Sequence, residues 1–431
     1  MLRQTLQTAG RAVSRELSGR YRIIYLIAVV EALFCFIFPG LVNDDYDTWT
    51  YFDTWKFYFL SRPETFIDSY RTPVYPLFMS LTSLDGLLPL TSIAFAQWIV
   101  FILVIPWFRR LAHMLVRSES ITFWMTLFYV AYWGVIDVNY WIRTESLSQS
   151  FLILFVYHTI RAMRKPEKKS LVWSAFWLLI LVFLRPAFLY LPPIYIAVCL
   201  YIMARNRRKG LMGLLGASVV CGIIYGYAAA FEHRHGFFAI SDVSDYNNYY
   251  RLVQYDIIDA SCFPSYLLPA MANTDSVPGD TIWTYNIPSW IHHTTDFHEG
   301  VKANISKHKD EFAYATLWTF PSFWRCRANQ CQYLYWPVGM MLTLGMDTAA
   351  ILVMIYLAVA ILSMIRYRQV MPVPLLIGGI WIAQGIVVWV GAYWNFDRLM
   401  TPVFPMLILI FGQLCSFCTK TRTAREVFTP C

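Results

Sequence analysis

Residues 88–108 read LPLTSIAFAQWIVFILVIPWF, a stretch without a charged side chain, and Arg109 and Arg110 follow it directly. A hydrocarbon layer about 30 Å thick requires roughly 20 apolar residues in a helix, which is the length of this stretch. Arginines beside such a helix are typical of its cytoplasmic end. Residues 88–108 therefore predict a membrane-spanning helix whose C-terminal end lies in the cytoplasm.

The composition of the whole chain of 431 residues agrees with this prediction. Hydrophobic residues make up 58%, aromatic residues 18% and charged residues only 14%. Because soluble domains carry about 25% charged residues, a soluble domain, a coiled coil and a disordered chain are excluded. The net charge of +8 does not indicate a nucleic-acid partner, since the basic residues form short clusters between apolar runs.

Similar apolar runs recur along the chain and predict an all-α polytopic membrane protein with about ten transmembrane helices. The run that begins the series follows Arg20-Tyr21-Arg22, and no small-residue cleavage site comes after it, so we expect a spanning helix and no removed signal peptide. The predicted spans lie near residues 23–40, 88–108, 120–137, 146–163, 171–188, 189–204, 211–231, 348–365, 373–391 and 400–416.

The basic clusters predict the orientation of these helices. They occur within residues 3–22, 109–117, 161–169, 205–209, 366–368 and 420–425, in every second loop, and the positive-inside rule places these loops and both termini in the cytoplasm. The inward loops are short and carry no nucleotide-binding glycine motif. The predicted organisation is a cytoplasmic segment 1–22, a membrane module 23–231 with a first outer loop 41–87, a large outer loop 232–335, C-terminal helices 336–418 and a cytoplasmic tail 419–431.

The first outer loop begins with a cluster of acids, Asp44, Asp45, Asp47 and Asp53, with aromatic residues between them. A solvated acidic loop is one interpretation of this pattern. The aromatic residues favour a packed surface instead, on which a carboxylate with a raised pKa acts as a general base.

The same loop ends in RTPVYPL at residues 71–77. Pro73 and Pro76 fix the backbone at the start of a short apolar helix, predicted at 77–83. This helix is too short to cross a membrane, so we expect it to lie at the interface.

An acidic loop after the first helix, followed by this proline-containing segment, resembles the GT-C superfamily of multispanning glycosyltransferases. Three further segments resemble that family in the same order: RTESL at 143–147, LRP at 184–186 and DRLMTPVFP at 397–405. The chain departs from the family where many relatives have Asp-Glu at the place of Asp47-Thr48 and glycine at the place of Val74. The choice among Asp44, Asp45 and Asp47 as the general base therefore stays open.

The resemblance implies a GT-C-like helical bundle, with interfacial helices in the first outer loop and a large outer loop. It also implies an inverting transfer of a sugar from a polyprenyl phosphate donor to a lipid-linked glycan or surface polysaccharide. The implied location is the periplasmic face of a bacterial inner membrane. An Asp of the first loop would be the base, and Glu145 would orient the acceptor or assist.

The donor phosphate would be bound by Arg71, Arg185 and Arg398, since the arginine fork stays charged in a partly desolvated site. Snorkelling towards the membrane surface is the alternative for Arg185 and Arg398. The acceptor residues are not assigned. Aromatic residues of the large outer loop are candidates, although an aromatic belt at the membrane interface explains them equally well: Tyr246, Tyr249, Tyr250, Tyr255, Trp283, Tyr285, Trp290, Trp318, Trp324, Tyr333, Tyr335 and Trp336.

No metal ligand is assigned. The histidines of the large outer loop lack the spacing of a zinc site, although a divalent cation between the acidic loop and the donor phosphate remains an option. These histidines are His233, His235, His292, His293, His298 and His308.

Two other functions remain open. The first is an O-antigen-type polysaccharide polymerase or ligase, which uses a lipid pyrophosphate donor. The second is a flippase or secondary transporter without chemistry, whose polar groups should pair near the middle of the membrane.

Overall fold

The computed structural model describes residues 19–44, 48, 50–51, 66–68, 70–272, 283–284, 287–288, 291, 293–325, 346–392 and 396–418. Within these ranges the secondary structure is helical, and β-structure is limited to isolated bridges such as that between Asn43 and Trp141. The α-helices are α1 (Arg22–Ile37), α2 (Val74–Ser83), α3 (Leu90–Val116), α4 (Glu119–Ala131), α5 (Trp133–Ile136), α6 (Thr144–Arg164), α7 (Lys168–Leu184), α8 (Leu191–Arg205), α9 (Arg207–His235), α10 (Val243–Gln254), α11 (Leu268–Met271), α12 (Thr295–Lys307), α13 (Lys309–Trp318), α14 (Phe320–Arg325), α15 (Met346–Tyr367), α16 (Pro372–Gly391), α17 (Phe396–Met400) and α18 (Phe404–Cys418).

Within the described residues, six helical segments are long and apolar enough to cross a membrane, which makes the chain a helical membrane protein. A seventh candidate is the bent pair Glu119–Ala131 and Trp133–Asn139, whose parts meet at 62°. The six segments are Leu90–Val116, Pro186–Arg205, Arg207–His235, Asp347–Tyr367, Pro372–Gly391 and Arg398–Cys418.

Each of the ten predicted runs falls on helical structure, the run at 120–137 on two helices, but the described residues support six or seven spans and not ten. Helices α1 and α7 have 16 and 17 residues, which is short for a span. Helix α6 is long enough at 21 residues but carries a polar sequence, TESLSQS, in its first two turns. The predicted boundary between residues 231 and 232 falls inside α9, which continues to His235.

Helix α6 lies at the centre of the bundle and is buried along most of its length, with α3, α7 and α8 packed around it. Its first turns pack with small polar side chains, including Ser146, Ser148 and Ser150, all fully buried. Small side chains allow helices to approach closely in a membrane. This close packing fixes the N-terminal end of α6 relative to its neighbours.

The first outer loop is attached to the segment that leads into α6. The Asn43 backbone amide donates to the Tyr140 carbonyl at 2.9 Å, and the Ile142 amide donates to the Asn43 carbonyl at 3.0 Å. The hydroxyl of Thr48 donates to the Ile142 carbonyl at 2.9 Å. Beneath them, the Gln97 side chain donates to the carbonyls of Asn139 and Trp141. Residues 43 and 48 are therefore both held beside the start of α6.

The short helix predicted at 77–83 in the first outer loop is present as α2, but it begins three residues earlier, at Val74, directly after Pro73. It ends where Leu84, Asp85 and Gly86 take left-handed backbone angles. The Tyr75 hydroxyl donates to Gln97 Oε1 on α3 at 2.7 Å, so α2 is fastened to a membrane helix. Its predicted place at the membrane interface stays a prediction.

The large outer loop contains a hydrophobic core of its own, formed between α10, α12 and the turns around Phe263, with Tyr249 and Phe297 at its centre. Arg251 on α10 joins this unit to the end of α16. Its guanidinium, only 1% exposed, donates to the carbonyls of Val390 at 2.7 Å, Ala392 at 2.6 Å and Trp389 at 3.2 Å. A cation is favourable at a helix C-terminus, where carbonyls lack partners.

Candidate functional site

A cavity of about 830 Å³ opens where the first outer loop, the start of α6, the break between α7 and α8, helix α10 and the ends of α16 and α17 meet. Residues that line it belong to three of the segments that resemble the GT-C superfamily, at 71–77, 143–147 and 184–186. Arg398, from the fourth segment at 397–405, completes the set. Segments far apart in the sequence therefore meet around one space.

Glu145 lies between two arginines in this cavity. Its Oε1 atom is 3.5 Å from Arg185 Nη1 and 3.5 Å from Arg398 Nε. The Glu145 side chain is 5% exposed, and each arginine side chain is 12% exposed. Glu145 occupies the first turn of α6, where the helix dipole stabilises a carboxylate. The three side chains form one largely buried charged group.

Local sequence explains why Arg185 reaches the cavity. A residue before proline is driven out of the helical region of backbone angles, and Arg185, before Pro186, has φ −154° and ψ 117°. Helix α7 therefore ends at Leu184, and a 3₁₀ turn follows it. Within the described residues, Arg185 Nη1 makes no hydrogen bond, and its contact with Glu145 at 3.5 Å is an ion pair.

Arg71 is held rigidly on another side of the cavity. Its Nε donates to Thr50 Oγ1 at 2.7 Å and its Nη1 to the Tyr51 hydroxyl at 3.3 Å. The guanidinium carbon lies 4.3 Å from the ring centre of Tyr51 and 4.5 Å from that of Tyr70. Stacking between two aromatic rings leaves the arginine charged and fixes its orientation.

Arg143 is a fourth cationic side chain in the cavity, and the sequence analysis did not assign it a role. It is the residue before α6, is 7% exposed, and packs over the Trp141 ring at 4.1 Å. The signal was present in the sequence as an aromatic residue two positions before an arginine, inside the segment that resembles the GT-C family.

The described lining of the cavity is rich in positive charge. It contains four arginines, Arg71, Arg143, Arg185 and Arg398, and one carboxylate, that of Glu145, while the buried carboxylate of Asp137 acts on Arg143 from outside the lining. In a partly desolvated site, planar guanidinium groups bind phosphate through paired, charge-assisted hydrogen bonds. Such groups also stabilise negative charge as it develops on a leaving group. A lining of this kind suits an anionic group such as a phosphate.

Of the four acids clustered at the start of the first outer loop, the structure describes only Asp44. Asp44 is exposed and is not among the described residues that line the cavity. Asp45, Asp47 and Asp53 lie outside the described residues, so the assignment of the general base stays a prediction. Asn43 and Thr48, which flank Asp44, Asp45 and Asp47 in the sequence, are both attached to the segment before Arg143.

Two histidine–carboxylate pairs connect α10 with the segment around α12, close to the cavity. His293 Nδ1 is 2.7 Å from Asp242 Oδ2, and His298 Nδ1 is 2.8 Å from Asp245 Oδ2. Burial raises the pKa of Asp242 to about 6, although its hydrogen bond to His293 acts in the opposite direction. Burial lowers the pKa of His293, but the hydrogen bond and charge of Asp242 outweigh it and leave that pKa raised. Asp68 also contributes negative charge here.

No group of three or more histidine, cysteine, aspartate or glutamate side chains that could hold a metal ion is found within the part of the chain that the structure describes. A cation between the acidic loop and the donor phosphate stays a prediction, because Asp45, Asp47 and Asp53 of that loop lie outside that part.

No protein-family model, curated protein or solved structure matches this chain. Four arginines line the cavity, and two of them, Arg185 and Arg398, contact the buried carboxylate of Glu145.

Proposed function

We propose that the protein is an integral membrane glycosyltransferase that moves a sugar from a polyprenyl phosphate donor to a lipid-linked glycan or surface polysaccharide acceptor. The pairing of Arg185 and Arg398 with Glu145, in a cavity that Arg71 and Arg143 also line, carries this proposal. Apolar helices border the same cavity, which suits a ligand with a hydrocarbon tail and an anionic head.

The reaction follows from the charges. An acceptor hydroxyl attacks the anomeric carbon of the donor, a new glycosidic bond forms, and the bond between that carbon and the phosphate oxygen breaks. The leaving phosphate gains negative charge, which Arg185 and Arg398 stabilise. A carboxylate accepts the proton of the hydroxyl, and we assign this role to Asp47 or Asp45 by resemblance to the GT-C superfamily. Attack opposite the leaving group inverts the anomeric carbon.

Glu145 has a separate role in this proposal. Two guanidinium groups 3.5 Å away pair with its carboxylate. It orients Arg185 and Arg398 towards the phosphate and assists in placing the acceptor. The wider arrangement that we propose is a GT-C-like bundle of about ten membrane helices in a bacterial inner membrane, with both termini in the cytoplasm and a periplasmic active site.

The test uses purified protein in lipid nanodiscs with a panel of radiolabelled polyprenyl monophosphate sugars and a bacterial extract of lipid-linked glycans. We expect label to move to the glycan fraction with release of polyprenyl phosphate, and we expect the double variant R185Q/R398Q to lose this activity. Arg161→Gln is the matched control, because Arg161 pairs with Glu167 at 2.9 Å outside the cavity.

The alternatives give different results in the same assay. Consumption of pyrophosphate-linked oligosaccharides, with no use of any monophosphate sugar, would replace this function with that of a polymerase or ligase. Movement of intact donor between the two leaflets of a vesicle, without release of polyprenyl phosphate, would replace it with transport.

A further inference from the structure

One face of α10 borders the cavity beside the arginines. Val243, Ser244, Tyr246, Asn247 and Tyr250 all line the space, and their spacing of three to four residues is that of one helical face. This face is polar and aromatic, in contrast to the cationic walls at the starts and ends of the membrane helices. The cavity therefore has two chemically distinct sides.

A row of three tyrosines connects these two sides. The rings of Tyr246 and Tyr250 are 4.4 Å apart between centres, and their hydroxyls are hydrogen-bonded to each other. The Tyr70 ring meets Tyr246 edge to face at 6.0 Å. Arg71 stacks on the far member of the row, since its guanidinium is 4.5 Å from the Tyr70 ring centre. The row therefore begins beside Arg71, a candidate phosphate-binding residue, and extends along α10.

The α10 face is held in place before any ligand arrives. The Asn247 amide donates to the Gly391 carbonyl at 2.9 Å, and the buried Arg251 one turn further along binds the three neighbouring carbonyls at the end of α16. The Ser241 hydroxyl, just before α10, donates to the Tyr70 carbonyl at 3.0 Å. A surface fixed in this way binds a ligand with little loss of conformational freedom.

We infer that Tyr70, Tyr246, Asn247 and Tyr250 form the subsite for the saccharide end of the acceptor. Tyrosine combines a ring that packs against the C–H face of a sugar with a hydroxyl that bonds its hydroxyl groups. Helix α10 belongs to the outer loop at 232–335, so an acceptor reaches it from the aqueous side while the lipid donor occupies the arginines. This inference rests on the proposed function, because it names the second substrate of the same site.

The experiment measures two ligands on the same protein in nanodiscs. Farnesyl phosphate, titrated by calorimetry, reports the arginine side. A panel of methyl glycosides, observed by saturation-transfer NMR, reports the tyrosine side. We expect at least one glycoside to receive saturation, with about tenfold weaker binding in the variants Y246F/Y250F and Y250A. Farnesyl phosphate affinity should stay unchanged in both variants, which also shows that they are folded.

The controls separate the possible outcomes. Tyr314→Phe, at an outer-loop tyrosine that is 64% exposed, should leave both ligands unaffected, and Arg398→Gln should weaken only farnesyl phosphate. Glycoside binding that persists in the tyrosine variants, or that is absent from a wild-type protein that binds farnesyl phosphate, overturns the subsite alone. Failure of the wild-type protein to bind farnesyl phosphate counts against the proposed function itself.

Discussion

Replacement of Glu145 by glutamine should tighten the binding of a phosphate in the cavity. The carboxylate lies 3.5 Å from both Arg185 and Arg398, so it competes with a phosphate for the same two guanidinium groups. Glutamine keeps the shape of the side chain and removes its negative charge. The substitution therefore changes the electrostatics of the cavity with little change in its volume.

The magnitude follows from the geometry. A phosphate on the far side of either guanidinium lies roughly 7 Å from the Glu145 carboxylate, since two contacts of similar length separate them. At an effective dielectric constant of about 20, loss of a unit charge at that distance changes the interaction energy by roughly 2.4 kcal/mol. Solvent and salt in the cavity reduce this to about 1–2 kcal/mol, or roughly 5- to 30-fold tighter binding.

Arg398→Gln should act in the opposite direction. It removes a charged donor, worth about 1.5–3 kcal/mol, and should weaken binding roughly 10- to 150-fold. Calorimetric titration of farnesyl phosphate into nanodiscs measures both variants, with Arg161→Gln as the control for loss of a surface charge. Tighter phosphate binding in Glu145→Gln and weaker phosphate binding in Arg398→Gln would indicate that both side chains act electrostatically on one site. Unchanged or weaker binding in Glu145→Gln would refute this reasoning.

Three further predictions concern other parts of the chain. Asp47→Asn or Asp45→Asn should abolish sugar transfer while farnesyl phosphate binding remains, and full transfer in the double variant would remove the base assignment. Arg251→Gln should lower the thermal unfolding temperature and weaken farnesyl phosphate binding several-fold by loosening the end of α16, with partial recovery in Arg251→Lys; an unchanged unfolding temperature would contradict this anchoring role. Because burial raises the pKa of Asp242 from 3.8 to about 6, the folded state binds more protons than the unfolded chain in that interval, so the unfolding temperature should fall as pH rises from 4 to 6. The pKa of His293 is also raised, so the unfolding temperature should continue to fall above pH 6.5. The variant Asp242→Asn should flatten the dependence of the unfolding temperature on pH between 4 and 6. An equally steep dependence in that variant would contradict the assignment to Asp242.

The helices could be predicted from the sequence because a span needs a long apolar run, and such runs are visible without any tertiary information. The exact ends of the helices were harder to predict. The run at 23–40 contains Pro39 and Gly40, and the helix stops at Ile37. The run at 171–188 contains Arg185-Pro186, and the helix stops at Leu184. In both places a proline ended the helix before the apolar run ended.

The candidate site could be predicted from the sequence only in part. Local motifs identified Arg71, Glu145, Arg185 and Arg398, but nothing in one sequence shows that they share a cavity, because their meeting depends on how α6, α7 and α17 pack. Arg143 lies in the segment 143–147, but its place in the cavity does not follow from the sequence, since a basic residue in a short outer loop has many ordinary explanations.

The role of the α10 face was still harder to predict from the sequence. Tyr246 and Tyr250 were two among many aromatic residues of the outer loop, and an aromatic belt explained them as well. Only the packing of α10 against the end of α16, through Arg251, places these two rings beside the arginines.

The most direct test of the central claim is an electron cryomicroscopy map of the protein in nanodiscs with farnesyl phosphate added. The account predicts headgroup density inside the cavity, within hydrogen-bond distance of both Arg185 and Arg398, and a hydrocarbon tail that leads from it into the membrane. A map in which the phosphate lies elsewhere on the protein, with the cavity holding only water, would contradict the account.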